Sequence, residues 1–226
     1  LGYIDAGRVS INGAVSRDSS LRVSLEHDRI ALDGAVAVEA REPLVIALHK
    51  PVGYVTTRSD PQGRKTVYEL LPTLDRFLFP VGRLDKETSG LLILTDDHRL
   101  GEALTNPESH VPKTYEVVVD REPDESQMAV LREGVHIGRG ESTRPAGVEI
   151  VIPDTSADHR TTLNIVIDEG KNRQIRRMVA AVGLSVVSLT RVGVGAFPLG
   201  TIPVGKFVTL FPHDILLLKS QAKRAL

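Results

Sequence analysis

Seven short runs rich in Val, Ile and Leu, at residues 44–48, 91–94, 115–119, 148–152, 163–167, 185–194 and 207–210, commit this chain to a fold dominated by strands. Only three segments carry helical spacing instead. Leu100, Ala103 and Leu104 fall one turn apart before Asn106-Pro107, and Met128 and Leu131 lie between Pro123-Asp124 and Gly134. The third has Ile175, Met178, Val179 and Val182 on one face, with Asn172 placed to cap its start and Gly183 to end it. Strands outnumber helices and do not alternate with them, which predicts a mixed α+β fold and disfavours a doubly wound parallel sheet.

The chain divides early. Asn12-Gly13 and Asp33-Gly34, each between short alternating runs, predict two small hairpins. Arg41-Glu42-Pro43 then breaks the pattern, so the expected boundary separates a small unit, 1–42, from a larger one, 43–226. With 41% hydrophobic and 25% charged residues among 226, the composition is that of a globular protein with a sizeable core. No cysteine is present, which excludes a disulfide framework, a thiolate metal site and a cysteine nucleophile. The seven histidines never pair at helical metal-site spacing, so no metal is expected. No apolar run approaches the roughly 20 residues of a membrane-spanning helix, and a soluble chain without a membrane partner is expected. Gly200 to Lys206 matches most of a phosphate-binding loop. Phe207 stands where the magnesium-binding hydroxyl belongs, and a strand follows, so the segment reads as a turn.

Two segments carry candidate chemistry. In Gly82-Arg83-Leu84-Asp85-Lys86-Glu87-Thr88-Ser89-Gly90, a polar loop bearing an acid runs into a buried strand, a way for a scaffold to present a reactive side chain. Asp85 could serve as nucleophile, general base or stabiliser of a cationic sugar carbon, or merely cap a turn or pair with Arg83 or Lys86. The second segment, 171–177, holds Lys171, Arg173, Arg176 and Arg177 with no acid among them. Helical geometry turns Arg173 and Arg177 away from the apolar stripe, where they can face phosphates, and leaves Arg176 on its border, where its fork suits a carboxylate. Lys113-Thr114-Tyr115 opens a strand with an aromatic beside a cation, suited to base stacking.

Together these segments resemble the pseudouridine synthases that act on ribosomal RNA, in the branch carrying a small N-terminal S4-type RNA-binding domain. The loop around Asp85 is similar to that family's catalytic-aspartate motif and His49-Lys50-Pro51-Val52-Gly53 to its preceding strand end. Lys113-Thr114-Tyr115 resembles its stacking-tyrosine motif, and residues 169–178 its basic helix. The resemblance implies a mainly antiparallel mixed sheet of pseudouridine synthase type after a partial S4-like domain. It implies an isomerase that detaches uracil from its ribose and rejoins it through C5 without cofactor or metal. Asp85 would be the catalytic carboxylate on a flipped-out uridine, Arg176 its cationic partner and Tyr115 the ring stacked on the base. Arg83, Lys50, Lys113, Lys171, Arg173 and Arg177 would bind RNA. The expected partner is ribosomal RNA or a pre-ribosomal particle, and the protein is expected to be a cytoplasmic monomer.

Gly63-Arg64-Lys65-Thr66-Val67 resembles the large-subunit branch, while residues 1–42 match only the later strand-and-turn part of an S4-type domain. That stretch carries 5 basic and 7 acidic residues, an unfavourable balance for RNA. Two other readings differ in class. A non-catalytic RNA-binding protein could keep the same fold, and a glycoside hydrolase could use Asp85 with Glu87 or Asp96, although this leaves the basic helix unexplained.

Overall fold

A computed structural model describes residues 2–24, 28–38, 42–152 and 159–220. The chain separates into two compact units, Leu1–Pro43 and Leu44–Leu226. The first holds a single helical turn, α1 (Gly2–Asp5), and four short strands, β1 (Val9–Ile11), β2 (Ala14–Val15), β3 (Ile30–Leu32) and β4 (Ala35–Val38). They form an antiparallel sheet in the order β2-β1-β3-β4. Both expected hairpins are present. Asn12-Gly13 and Asp33-Gly34 turn with every φ positive, from 52° to 87°, as two-residue hairpin loops require.

The second unit is built on one mixed sheet. Its strands are β5 (Val45–Lys50), β6 (Phe79–Pro80), β7 (Ser89–Thr95), β8 (Lys113–Val119), β9 (Gly147–Ile152), β10 (Thr161–Ile167), β11 (Val186–Val194), β12 (Phe197–Pro198) and β13 (Phe207–Thr209). The path runs β13-β5-β7-β11-β8-β10-β9, with β6 beside β7 and β12 beside β11. Every pairing is antiparallel except β7 with β11, which touch in parallel through Ser89 and Gly90. Each of the seven expected runs is a strand. Gly200 to Lys206 is the turn into β13, as its sequence indicates.

Alternating residues of β5 and β7 enter two different cores, which explains why both read as unbroken apolar runs. Val45, Ala47, Leu91 and Ile93 pack with Leu100 and Leu104 of α2 (His98–Thr105). Ile46, Leu48, Leu92 and Leu94 pack with Val67 and Leu78 on the other face. A third core joins Val117, Leu163 and Ile165 to α3 (Glu125–Glu133) and α4 (Gln174–Ala181). Asp97 and Asp124 cap α2 and α3 by accepting from backbone N–H groups one turn on.

The start of α4 departs from expectation. Arg173, not Asn172, is its N-cap, in a left-handed conformation with φ 50° and no side-chain cap. Gln174, 4% exposed, closes this turn instead, since its Oε1 accepts from the Lys171 N–H and its Nε2 donates to Glu169. Gly183, with φ 76°, ends the helix as expected. α5 (Pro212–Ser220) carries no stripe that the sequence could reveal, since Leu218 is buried while Leu216 and Leu217 are exposed. No helix among the described residues is long and apolar enough to cross a membrane.

Candidate active site

The loop between β6 and β7 is fastened at every second residue. Thr56 Oγ1 donates to the Leu84 carbonyl at 2.9 Å and accepts from the Leu84 N–H at 3.3 Å. The Lys86 carbonyl accepts from the Gly53 N–H at 2.8 Å, and Thr88 donates its own N–H to the Asp85 carbonyl. Leu84 and Thr88 are buried. Between these anchors Arg83, Asp85 and Glu87 face outward, and Asp85 keeps 32% of its side chain exposed. The carboxylate is presented on a rigid support to a cleft of about 300 Å³ walled by Tyr115, Ile167, Arg173, Ile175 and Leu189.

Lys50 lies behind this loop. It is fully buried, and its ammonium donates to the carbonyls of Thr88 at 2.7 Å and Pro51 at 3.0 Å. Burial lowers its pKa to about 8, against the pull of Asp85 and Glu87. With no exposed surface, Lys50 braces the Asp85 loop from behind instead of offering its ammonium at the protein surface.

Arg173 is the cation nearest Asp85. Its Nη1 stands 3.9 Å from Asp85 Oδ2 and 2.8 Å from Glu87 Oε2. That hydrogen bond holds the Glu87 carboxyl below the usual range, with Arg173 and Arg176 adding charge in the same direction. Arg176 donates from Nη2 to the Glu87 carbonyl at 2.9 Å, while its buried Nε has no partner among the described residues. Burial and Arg173 lower its pKa; Glu87 and Asp85 oppose them. The field of Arg176 therefore reaches Asp85 although the two are not in contact.

The remaining expected residues are dispersed. Arg83 is exposed and lines the cleft, as does Lys171, which is paired with Glu169. Lys113 lies in an adjoining cleft, where burial and Arg191 lower its ammonium to about 8 against the opposing charge of Asp168. Arg177 is engaged within the protein: it donates to the carbonyls of Ile137 and Gly138, each at 2.9 Å, and pairs with Glu141 at 2.6 Å. Among the alternatives for a second carboxylate, Asp96 sits beyond the far end of β7, holding the Leu44 N–H and Arg76. Glu87 is joined to Arg173. Sequence reasoning missed Thr56, Arg191 and the apolar wall Ile167 and Leu189. Arg191 had a visible signal, a lone charge inside an otherwise uncharged strand, 186–194. Among the described residues, no group of three His, Asp or Glu is placed to hold a metal ion.

The arrangement matches known proteins along most of its length. A family profile described as RNA pseudouridylate synthase covers residues 44–181. Ribosomal large subunit pseudouridine synthase B of Bacillus subtilis is 32% identical over 219 residues, 97% of this chain and 88% of that protein. Ribosomal small subunit pseudouridine synthase A of Escherichia coli is 32% identical over 197 residues, 87% of this chain and 82% of that one. A crystal structure of a pseudouridylate synthase superposes with TM-score 0.69 at 30% identity, covering 96% of this chain and 91% of its own. The matched stretch contains the Asp85 loop, the strand of Tyr115 and the helix behind Arg173. With that fold around that cleft, the chain belongs to the RNA pseudouridine synthases, in the family of the ribosomal large-subunit enzyme B and small-subunit enzyme A.

Proposed function

We propose that this protein isomerises a uridine of ribosomal RNA, with Asp85 as the catalytic carboxylate acting on a flipped-out nucleotide. The observation that carries the reading is the placement of Asp85. It is held on an immobilised loop, partly open to a cleft with the Tyr115 ring in its wall and Arg173 3.9 Å away. In the reaction the C1′–N1 bond breaks, the uracil turns within the cleft and C1′ bonds to C5. The C5 proton is lost and N1 gains one, so the product is an isomer. A carboxylate serves this sequence by attacking or stabilising C1′ or by removing a proton, and each role needs it ionised. Arg173 is the cation within ion-pair reach of it, and Arg176 holds the Glu87 carbonyl two residues on. Tyr115 stacks on the base, while Arg83, Lys171 and Lys113 border the path of the RNA. The N-terminal sheet is read as a partial S4-like module, the partner as ribosomal RNA or a pre-ribosomal particle, and the setting as the cytoplasm.

The test uses the full chain on ribosomal RNA from cells lacking it, with pseudouridine mapped by mass spectrometry. Asp85→Asn, nearly isosteric but uncharged, is expected to lower turnover by about 10²–10⁴-fold while the protein stays folded and bound to RNA. Turnover near the wild-type rate in the folded variant would overturn the role of Asp85. Absence of any pseudouridine with the wild type would overturn the choice of ribosomal RNA.

A further inference from the structure

Beside the catalytic cleft lies a second one, of about 200 Å³, that shares Arg83, Tyr115 and Gly170 with it and continues toward Lys113, Asp168 and Arg191. Its polar groups are incompletely satisfied. Arg191, on β11, is only 4% exposed; its Nε donates to the Leu91 carbonyl at 2.7 Å, yet its buried Nη2 has no partner among the described residues. Asp168 follows β10 with 13% of its side chain exposed. Its Oδ2 faces His110 at 3.3 Å and Arg144 at 3.6 Å, whereas its buried Oδ1 has no partner among the described residues. Burial and Arg191 disfavour the charged form of Lys113, whose ammonium makes no hydrogen bond to the described residues. Buried donors and acceptors left in this state are rare and call for a partner.

Lys113, Arg191 and Asp168 thus line one space the size of one heterocycle, next to Tyr115. A phosphate would suit Lys113 and Arg191 but would bring negative charge against the free oxygen of Asp168. An apolar group would satisfy none of the three. The edge of a nucleobase offers carbonyl or ring-nitrogen acceptors together with an N–H donor, and so complements both kinds of group.

We propose that this cleft is a second base-binding subsite, holding an unpaired nucleobase next to the target uridine through Lys113, Asp168 and Arg191. It rests on the reading that the substrate is RNA, and its consequence is sequence context: the neighbouring base, in addition to the target, contributes to selection. Two adjacent nucleotides then leave the stack together, their bases on either side of Tyr115.

The experiment measures pseudouridine formation by the full chain on a ribosomal RNA fragment that the wild type modifies. The fragment is compared with two versions carrying an abasic nucleotide, one on the 5′ side and one on the 3′ side of the target. Removing the base on one side is expected to lower kcat/KM at least tenfold, and on the other side to change it little. Lys113→Met and, separately, Asp168→Asn are expected to lower kcat/KM on the intact fragment by a similar factor. On the sensitive abasic fragment they should cause no further loss, because the lost partner is already absent. Thermal unfolding of each variant checks that it is folded, and the conservative Asp168→Asn keeps the test open if Lys113→Met is not. Indifference to both abasic substitutions would overturn the proposal and leave the reaction assigned to Asp85 standing. Losses that multiply would do the same, since the base would then be read elsewhere. Failure of the wild type on every ribosomal RNA fragment would instead overturn the underlying reading, and the subsite with it.

Discussion

Residue by residue, the cleft owes its charge to a division of labour among arginines that share one helix. Arg173 is 44% exposed at the mouth and bonded to Glu87, so a phosphate can compete for it. Arg177 has 17% of its side chain exposed and bonds three backbone carbonyls, those of Asn172, Ile137 and Gly138. Its role is to fasten the 137–141 segment to α4. Arg173→Ala is therefore expected to shallow the log–log salt dependence of RNA binding by about 0.7–0.9, the release of one counterion. Arg177→Ala should leave that slope unchanged and lower stability by about 2 kcal/mol, because three carbonyls lose their donor. Binding isotherms across a salt series, with urea unfolding of both variants, check the pair; a shallower slope for Arg177→Ala would return it to the RNA interface. In the sequence these two arginines look alike. Both project from the polar side of the helix, and what separates them is a segment more than thirty residues earlier that folds over one of them.

At the scale of the element, the informative junction is where β7 meets β11. Gly90 pairs with Lys50 on one side and Arg191 on the other, with φ 108°. A Cβ there would lie 2.2 Å from the Arg191 carbonyl oxygen. Gly90→Ala is expected to cost about 3 kcal/mol and to displace the end of the Asp85 loop, which enters β7 at Ser89. Urea unfolding should show the lower midpoint, and turnover should fall further than the lost stability explains; a midpoint equal to the wild type would contradict the close approach. Strands and most helices were legible because they answer to local periods and to turn residues. The cap of α4 was not: Asn172 has the right chemistry, but the turn is closed by Gln174 reaching back to Lys171 and Glu169. α5 was also hidden, since its leucines face both buried and exposed surroundings and leave no 3.6-residue pattern.

For the molecule as a whole, buried Lys50 and partly buried Lys113 set an alkaline pH dependence that the carboxylates do not. Lys50 and Lys113 titrate near 8 in the folded chain against 10.5 when free. Below about pH 8 they are protonated whether the chain is folded or not. Above it the unfolded chain binds more protons, so stability should rise with pH. The rise should end near pH 10, where Tyr68, lifted by burial above 10.0, begins to act in the opposite direction. Urea midpoints taken between about pH 8 and 10 are expected to increase, and Lys50→Met to reduce the increase; a flat or falling series would show that neither lysine is desolvated. Read alone, the sequence determined the two-unit division, the strand-rich α+β class and the loop that carries Asp85, because each is written in local spacing and in turn residues. Only the tertiary structure decided which cation stands beside that carboxylate, which lysine is buried behind it and which polar groups are left facing a second cleft. Those outcomes depend on parallel contact between β7 and β11 and on where long side chains find carbonyls, and strand register, which sets both, joins residues about 100 positions apart.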